Sequence, residues 1–286
     1  MKLVSAKKGN RVFVGVLDSS ESKVLEVSDN DSMVECIAKG EEFLQEVYEK
    51  VEAAREDDYY LLEEISLLAP ITNPPKNVLC VGKNYVDHAI EMGSKEDIPE
   101  HIMVFTKAPT TIIGHGHLIE NHLSITQQLD YEGELAIVIG KKGRNISKEE
   151  ALDYVFGYTI VNDITARDLQ TKHKQFFIGK SLDTSCPMGP FLVHKGNIPN
   201  PNYLQIETKV NGEIRQSSNT KHFIFPVEEI ISTLSLGMTL EPGDVIATGT
   251  PAGVGKGFKP PRFLKPGDQI EIKIEGIGIL LNNISE

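Results

Sequence analysis

Short β-branched runs, broken by Gly, Pro and polar turns, dominate the chain. Arg11-Val12-Phe13-Val14-Gly15-Val16-Leu17 and Lys23-Val24-Leu25-Glu26-Val27 flank the polar stretch Asp18-Ser19-Ser20-Glu21-Ser22, a pattern that predicts a hairpin. A helix is expected next. Ser32 and Glu35 have capping-box spacing, and Ile37, Leu44, Val47, Val51 and Ala54 then recur on one helical face with solvated charges between them. Residues 70–76 contain three prolines, which neither a helix nor a central strand continues. This stretch predicts a boundary between a small α+β unit, 1–72, and a larger domain, 73–286. In the larger part, apolar runs at 77–81, 102–106, 134–139, 158–161, 191–194, 204–210, 245–247, 269–274 and 277–281 read as strands. Helical patterns are confined to 147–155, opened by a second capping box (Ser147, Glu150), and 226–236. The fold class is therefore mainly β with α+β elements.

Composition narrows the function. Of 286 residues, 29 are Lys or Arg and 41 Asp or Glu, a formal charge of -12, which argues against a nucleic-acid binder. No apolar run is long enough for a membrane span, and the charged N-terminus has no signal-like core. Cys36, Cys80 and Cys186 lie far apart and match no zinc or redox spacing, so they read as reduced thiols of a cytoplasmic protein. Gly179-Lys180-Ser181 lacks the upstream glycine of a P-loop, and no G-x-S-x-G elbow or H-E-x-x-H zinc helix occurs. His115-Gly116-His117 reads as a surface turn in preference to a metal site.

Chemistry concentrates in four segments. In Asp130-Tyr131-Glu132-Gly133-Glu134-Leu135 the two glutamates share one strand face, either as solvated acids at a strand end or as ligands of a cation. Asp163 stands where the apolar strand at 156–161 gives way to a loop. Together these three carboxylates would suit Mg²⁺ or Mn²⁺ and not zinc. His88 and Glu91 stand three apart; on a helix Glu91 would orient the imidazole as a general base, or the two form an ordinary surface pair. Lys180 follows an apolar run and would place a cation near substrate, or snorkel to the surface.

Six motifs occur in order: G-K-N-Y-x-x-H-x-x-E, D-Y-E-G-E-L, G-Y-T-I-V-N-D-I-T-A-R-D-L-Q, G-K-S-L-D-T-x-C-P-M-G-P, V-N-G-E-x-R-Q and A-T-G-T-P-x-G-V-G. As a set they resemble the fumarylacetoacetate hydrolase family over 77–286, and among its members the bacterial acylpyruvase and oxaloacetate-decarboxylating types that carry an N-terminal domain. The resemblance implies a mixed β-sandwich roll, as a homodimer. It also implies one Mg²⁺ or Mn²⁺ on Glu132, Glu134 and Asp163, an acid–base dyad of His88 and Glu91 on a lid, and a substrate pocket of Lys180, Arg167, Gln170 and Thr250. Animal members carry a further Asp ligand seven residues before the dyad histidine; here that position is Val81, which argues against fumarylacetoacetate itself as substrate.

The expected activity is C–C cleavage of a small 2-oxo acid through a metal-bound enolate, by oxaloacetate decarboxylation or acylpyruvate hydrolysis. A 2-hydroxyhepta-2,4-diene-1,7-dioate isomerase or hydratase, and a regulatory protein binding a partner through residues 1–72, are the alternatives.

Overall fold

The computed structural model describes residues 1–286. Its strands are β1 (Lys2–Lys8), β2 (Arg11–Leu17), β3 (Lys23–Ser28), β4 (Tyr59–Leu61), β5 (Ser66–Leu67), β6 (Val78–Gly82), β7 (Met103–Lys107), β8 (Ile112–Ile113), β9 (Leu118–Ile119) and β10 (Leu129–Asp130). They continue with β11 (Gly133–Ile139), β12 (Val155–Asn162), β13 (Thr165–Ala166), β14 (Cys186–His194), β15 (Gln205–Val210), β16 (Glu213–Asn219), β17 (Val245–Ala247), β18 (Gln269–Ile274) and β19 (Gly278–Ile284). The helices are α1 (Met33–Ala38), α2 (Glu41–Ala53), α3 (Val86–Glu91), α4 (Arg167–His173), α5 (Phe177–Lys180) and α6 (Val227–Ser235).

Two sheets pack face to face, the sandwich that the family resemblance implies. The larger has the order β4-β3-β2-β1-β14-β12-β11-β17-β6-β7; the smaller has the order β16-β15-β18-β19-β9. All seven residues of β11 are buried because each of its faces is covered. Leu135, Ile137 and Ile139 enter a 39-residue core shared with β15 and β18 of the smaller sheet. Ala136 and Val138 point the other way, into a 23-residue core with Met33, Ile37, Phe43 and Val47 of the N-terminal helices. Gly133 explains the bare position between the two glutamates. A Cβ there would lie 2.3 Å from Thr208 Oγ1, so only glycine lets the sheets close at this point.

The predicted hairpin is β2–β3, with Leu17 opposite Val24. Strands on both sides of the proline stretch share one sheet and one core, because β1 pairs with both β2 and β14 and the 23-residue core draws on both sides. Two helix expectations are corrected. The N-terminal helix is two helices, broken at Gly40, whose φ of 62° ends the regular hydrogen bonding. Its buried residues include Phe43, while Val51 is 41% exposed. Residues 147–155 form only a 3₁₀ turn, Ala151–Tyr154. The Ser147–Glu150 bonds do form (2.8 and 3.3 Å). The following residues are claimed by β12 before a second helical turn can pay back nucleation.

Candidate active site

The carboxylates are assembled by strand register. Gly133 pairs with Asn162 and Glu134 with Val161, which sets Asp163 beside Glu132; the Asp163 N–H donates to Glu132 O at 2.9 Å. Glu132 and Glu134 share the face of Ala136 and Val138, so the cluster caps the end of the second core. Each of Glu132, Glu134 and Asp163 offers an oxygen within 4.8 Å of the others, and all three are buried.

Buried cations surround two of the three. Lys180, at the end of α5, donates from Nζ to Glu132 Oε2 and Asp163 Oδ2, both at 2.6 Å. Arg167, at the start of α4, donates from Nε to Asp130 Oδ2 at 2.9 Å and makes an off-axis charge contact from Nη2 to Glu132 Oε1 at 2.6 Å. Lys107 of β7, fully buried, lies 2.8 Å from Asp163 Oδ1 and donates to the carbonyls of Ile164 (3.0 Å) and Lys180. Burial opposes ionisation of Glu132, but Lys180 and Arg167 overcome it and hold the carboxyl well below its usual range. Burial likewise opposes charge on Lys180, and Asp163 and Glu132 outweigh it, raising the ammonium.

Glu134 is the exception. Its Oε2 accepts the Gly249 N–H at 2.7 Å, and no side-chain cation bonds to it. Burial, and then the charges of Asp163 and Glu132, push its carboxyl well above the usual range. A buried all-oxygen cluster with one acid short of a positive partner is the donor chemistry of a hard divalent cation, so these residues fit Mg²⁺ or Mn²⁺.

The predicted helix at His88 is α3, and it buries the imidazole. His88 Nδ1 lies 3.3 Å from Glu91 Oε2, which leaves Nε2 for the cavity. Glu91 is held in turn by the Gly253 N–H, 2.9 Å from Oε1. Gly253 has φ +106° and a Cβ there would sit 1.9 Å from Arg215 O. Gly253→Ala is therefore expected to lower stability by about 1–3 kcal/mol from backbone strain alone. The expected readouts are a lower Tm and a turnover loss from the release of Glu91.

A cavity of about 270 Å³ joins these groups. Its walls include His88, Glu132, Glu134, Arg167, Gln170, Lys180 and Thr250, with Lys83, Lys174 and Lys256 adding charge and Val81, Met92, Phe105 and Phe176 an apolar side. Of the site residues expected from sequence, all but two line this cavity: Asp163 adjoins it through Glu132 and Lys180, and Glu91 stands behind His88. Gln170 accepts from Arg167 Nη1 at 3.3 Å. The Thr250 hydroxyl is committed to the fold: it donates to Gly133 O (3.0 Å) and accepts from Gln216 Nε2 (2.7 Å). Val81, at the position of the additional Asp of animal members, is buried on the cavity wall.

Sequence reasoning missed four supporting residues: Lys107, Asp130, Gln216 and Asn84. Asn84 is fully buried and bonds Phe225 N (2.8 Å), Phe225 O (3.1 Å) and Thr248 O (2.8 Å), fixing the turn that precedes α3. All but Lys107 lay inside motifs already recognised; Lys107 had no signal beyond a lysine closing an apolar run. His115 and His117 each accept a backbone N–H, from Leu281 (3.2 Å) and Gly114 (3.4 Å), as turn residues do. The three cysteines are free and buried, and burial pushes Cys186 up to about 12. No helix is long and apolar enough to cross a membrane.

Comparison with known proteins gives a consistent result. The family model described as "Fumarylacetoacetate (FAA) hydrolase C-terminal" matches residues 77–285. The protein named oxaloacetate tautomerase YisK, from Bacillus subtilis (strain 168), is 56% identical over 300 residues, covering 99% of this chain and 100% of its own. The solved fumarylacetoacetate hydrolase (EaFAH) from psychrophilic Exiguobacterium antarcticum matches with a TM-score of 0.87 at 47% identity, over 100% of this chain and 99% of that one. The 2-hydroxyhepta-2,4-diene-1,7-dioate isomerase from Mycobacterium marinum matches with a TM-score of 0.77 at 32% identity, over 100% and 98%. With more than half its length matched by the family model and full-length relatives well above 30% identity, the chain belongs to the fumarylacetoacetate hydrolase family.

Proposed function

We propose that the protein is a divalent-metal-dependent enzyme that interconverts the keto and enol forms of oxaloacetate or a closely similar 2-oxo dicarboxylate. The observation that carries this reading is His88, on the wall of the cavity that also holds Glu132 and Glu134, backed by Glu91 at 3.3 Å. The full-length likeness to a protein named oxaloacetate tautomerase supports it.

A Mg²⁺ or Mn²⁺ held by Glu132, Glu134 and Asp163 would supply Lewis-acid stabilisation where negative charge develops on the 2-oxo oxygen. His88 Nε2 takes the proton from C3, and the bond's electron pair passes to the oxygen as an enolate. The proton then returns to that oxygen for the enol, or to C3 in the reverse direction, so no proton is gained or lost overall. Glu91 fixes the imidazole tautomer and faces the positive charge while the ring holds the proton. Arg167, Gln170 and Lys180 orient the substrate carboxylates, and the Thr250 amide N–H is left to do so where its hydroxyl is not.

Charge complementarity favours a dianion. Asp130, Glu132, Glu134 and Asp163 face the buried cations Lys107, Arg167 and Lys180, and a divalent ion would leave this set with one excess positive charge for one substrate carboxylate, the lysines at the cavity mouth facing the other. Lys83, Lys174 and Lys256 extend the attraction to the cavity mouth.

Decarboxylation is a second reading, favoured by the apolar wall of Val81, Met92, Phe105 and Phe176. A distal carboxylate pressed against it is desolvated, and loss of CO₂ relieves that. The C3–C4 electron pair then passes to the 2-oxo oxygen as the enolate of pyruvate, which takes a proton at C3 to give pyruvate. In both readings the enzyme is a cytoplasmic homodimer.

The test is a panel of oxaloacetate, acetylpyruvate, fumarylpyruvate and a 2-hydroxy-dienedioate, with Mg²⁺, Mn²⁺ or EDTA. Enol absorbance, CO₂ and pyruvate are followed separately. Metal-dependent acceleration of enol decay without pyruvate is expected for oxaloacetate. No acceleration beyond the spontaneous rate would overturn the tautomerase reading, and metal-dependent pyruvate release would favour cleavage.

A further inference from the structure

Asp130 takes no part in the chemistry above, yet its buried carboxylate accepts four N–H bonds. Oδ1 accepts from Gly255 (2.6 Å) and from its neighbour Tyr131 (3.0 Å); Oδ2 accepts from Lys256 (3.0 Å) and from Arg167 Nε (2.9 Å). Residues 255 and 256 are the middle of a loop that clasps Glu91. At one end of the clasp the Gly253 N–H donates to Glu91 Oε1 at 2.9 Å, while Tyr131 Oη donates to the Gly253 carbonyl at 2.8 Å. At the other end Gly257 lies flat on the same carboxylate, where a Cβ would fall 2.1 Å from Glu91 Oε1. Between them, a Cβ on Gly255 would fall 2.6 Å from Asp130 Oδ1.

We infer that Asp130 is a positioning residue for the acid–base pair: it pins the 253–257 loop so that the loop holds Glu91 against His88, and it ties that loop to the substrate-facing Arg167. This inference rests on the reading of His88 and Glu91 as the proton-transfer groups. All four partners of Asp130 are donors, so only a carboxylate satisfies them. An amide of the same shape turns its own N–H groups toward one pair.

The test is Asp130→Asn in the full chain with Mn²⁺. The expected result is a kcat about 10- to 100-fold lower, the range for losing a supporting hydrogen bond, with Mn²⁺ affinity within about twofold of wild type. In a Glu91→Gln background the same substitution is expected to cost less than about threefold, because residues acting as one unit are not additive. Hydrogen exchange of the Gly253, Gly255 and Lys256 amides is expected to quicken in Asp130→Asn and to stay slow at 255 and 256 in Glu91→Gln. Multiplicative losses in the double variant, or an unchanged kcat with those amides exposed, would overturn the inference. Should Asp130→Asn fail to fold, Tyr131→Phe removes only the hydroxyl on Gly253 O and must show the same non-additivity. If wild type turns over no 2-oxo acid, the reading of the pair falls on its own, and retained protection at 255 and 256 in Asp130→Asn would still overturn the pinning role.

Discussion

Glu134→Ala is expected to abolish metal-dependent turnover and leave the fold intact, whereas Glu132→Ala abolishes turnover and also destabilises the protein. The two proposed ligands flank Gly133 on one strand face, but their electrostatic settings are opposite. Glu134 bonds one backbone N–H, from Gly249, and is repelled by Asp163 and Glu132. Its removal relieves that repulsion against the loss of one hydrogen bond of about 1 kcal/mol. Glu132 instead neutralises Lys180 and Arg167, both about 2% exposed. Breaking a buried pair costs about 3–5 kcal/mol, and the lower end applies because each cation keeps one carboxylate, Asp163 or Asp130. Mn²⁺ calorimetry, turnover and thermal melts on both variants measure the difference; full activity in metal-free Glu134→Ala would sink the metal assignment.

The same asymmetry sets a pH dependence. Burial, then Asp163 and Glu132, raise the folded-state carboxyl of Glu134 above its unfolded value. Between those two values the unfolded chain has lost its proton while the folded one keeps it. In this window metal-free stability falls as pH rises, by linkage. Mn²⁺ must displace that proton, so its apparent affinity rises with pH across the same window. Glu134→Gln is expected to flatten both trends.

Much of this site was legible from single segments. Glu132 and Glu134 share a face by strand periodicity alone, and His88 and Glu91 meet by helical spacing. Asp163 was visible as an acid ending an apolar strand, although its place beside Glu132 depends on the β11–β12 register. What stayed hidden depends on partners far away in the chain. Lys107 finds Asp163, 56 positions further on, only because β7 and α5 close over the strand ends; its bonds to Ile164 and Lys180 span 57 and 73 residues. Asp130 reads as one more acid until the glycine loop folds onto it from 125 residues on. The fold followed the same rule. Periodicity predicted most strands near their observed bounds, but local pattern could not reveal that β1 bridges β2 and β14 to build the N-terminal strands into the main sheet. At 147–155 a valid local cap was overridden by the pairing of β12 with both its neighbours.

His88→Asn is expected to lower tautomerisation kcat by about 10²–10⁴, the contribution of a positioned acid–base group, with KM and Mn²⁺ affinity little changed. Metal affinity is spared because His88 bonds Glu91 and makes no hydrogen bond to Glu132 or Asp163. Glu91→Gln should fall in the same direction by less, since the imidazole remains and loses only its orientation and counter-charge. The comparison also separates the reactions this cavity can support. Tautomerisation needs a base at C3, and acylpyruvate hydrolysis needs one for water; both require the imidazole. Decarboxylation breaks C3–C4 with no proton removed beforehand and needs a proton only afterwards, which solvent can deliver. If oxaloacetate decarboxylation is native to the site, His88→Asn retains CO₂ release while enol–keto exchange collapses, and the two rates part by orders of magnitude. Parallel loss of both would mean that His88 also governs binding, contrary to its expected effect on KM.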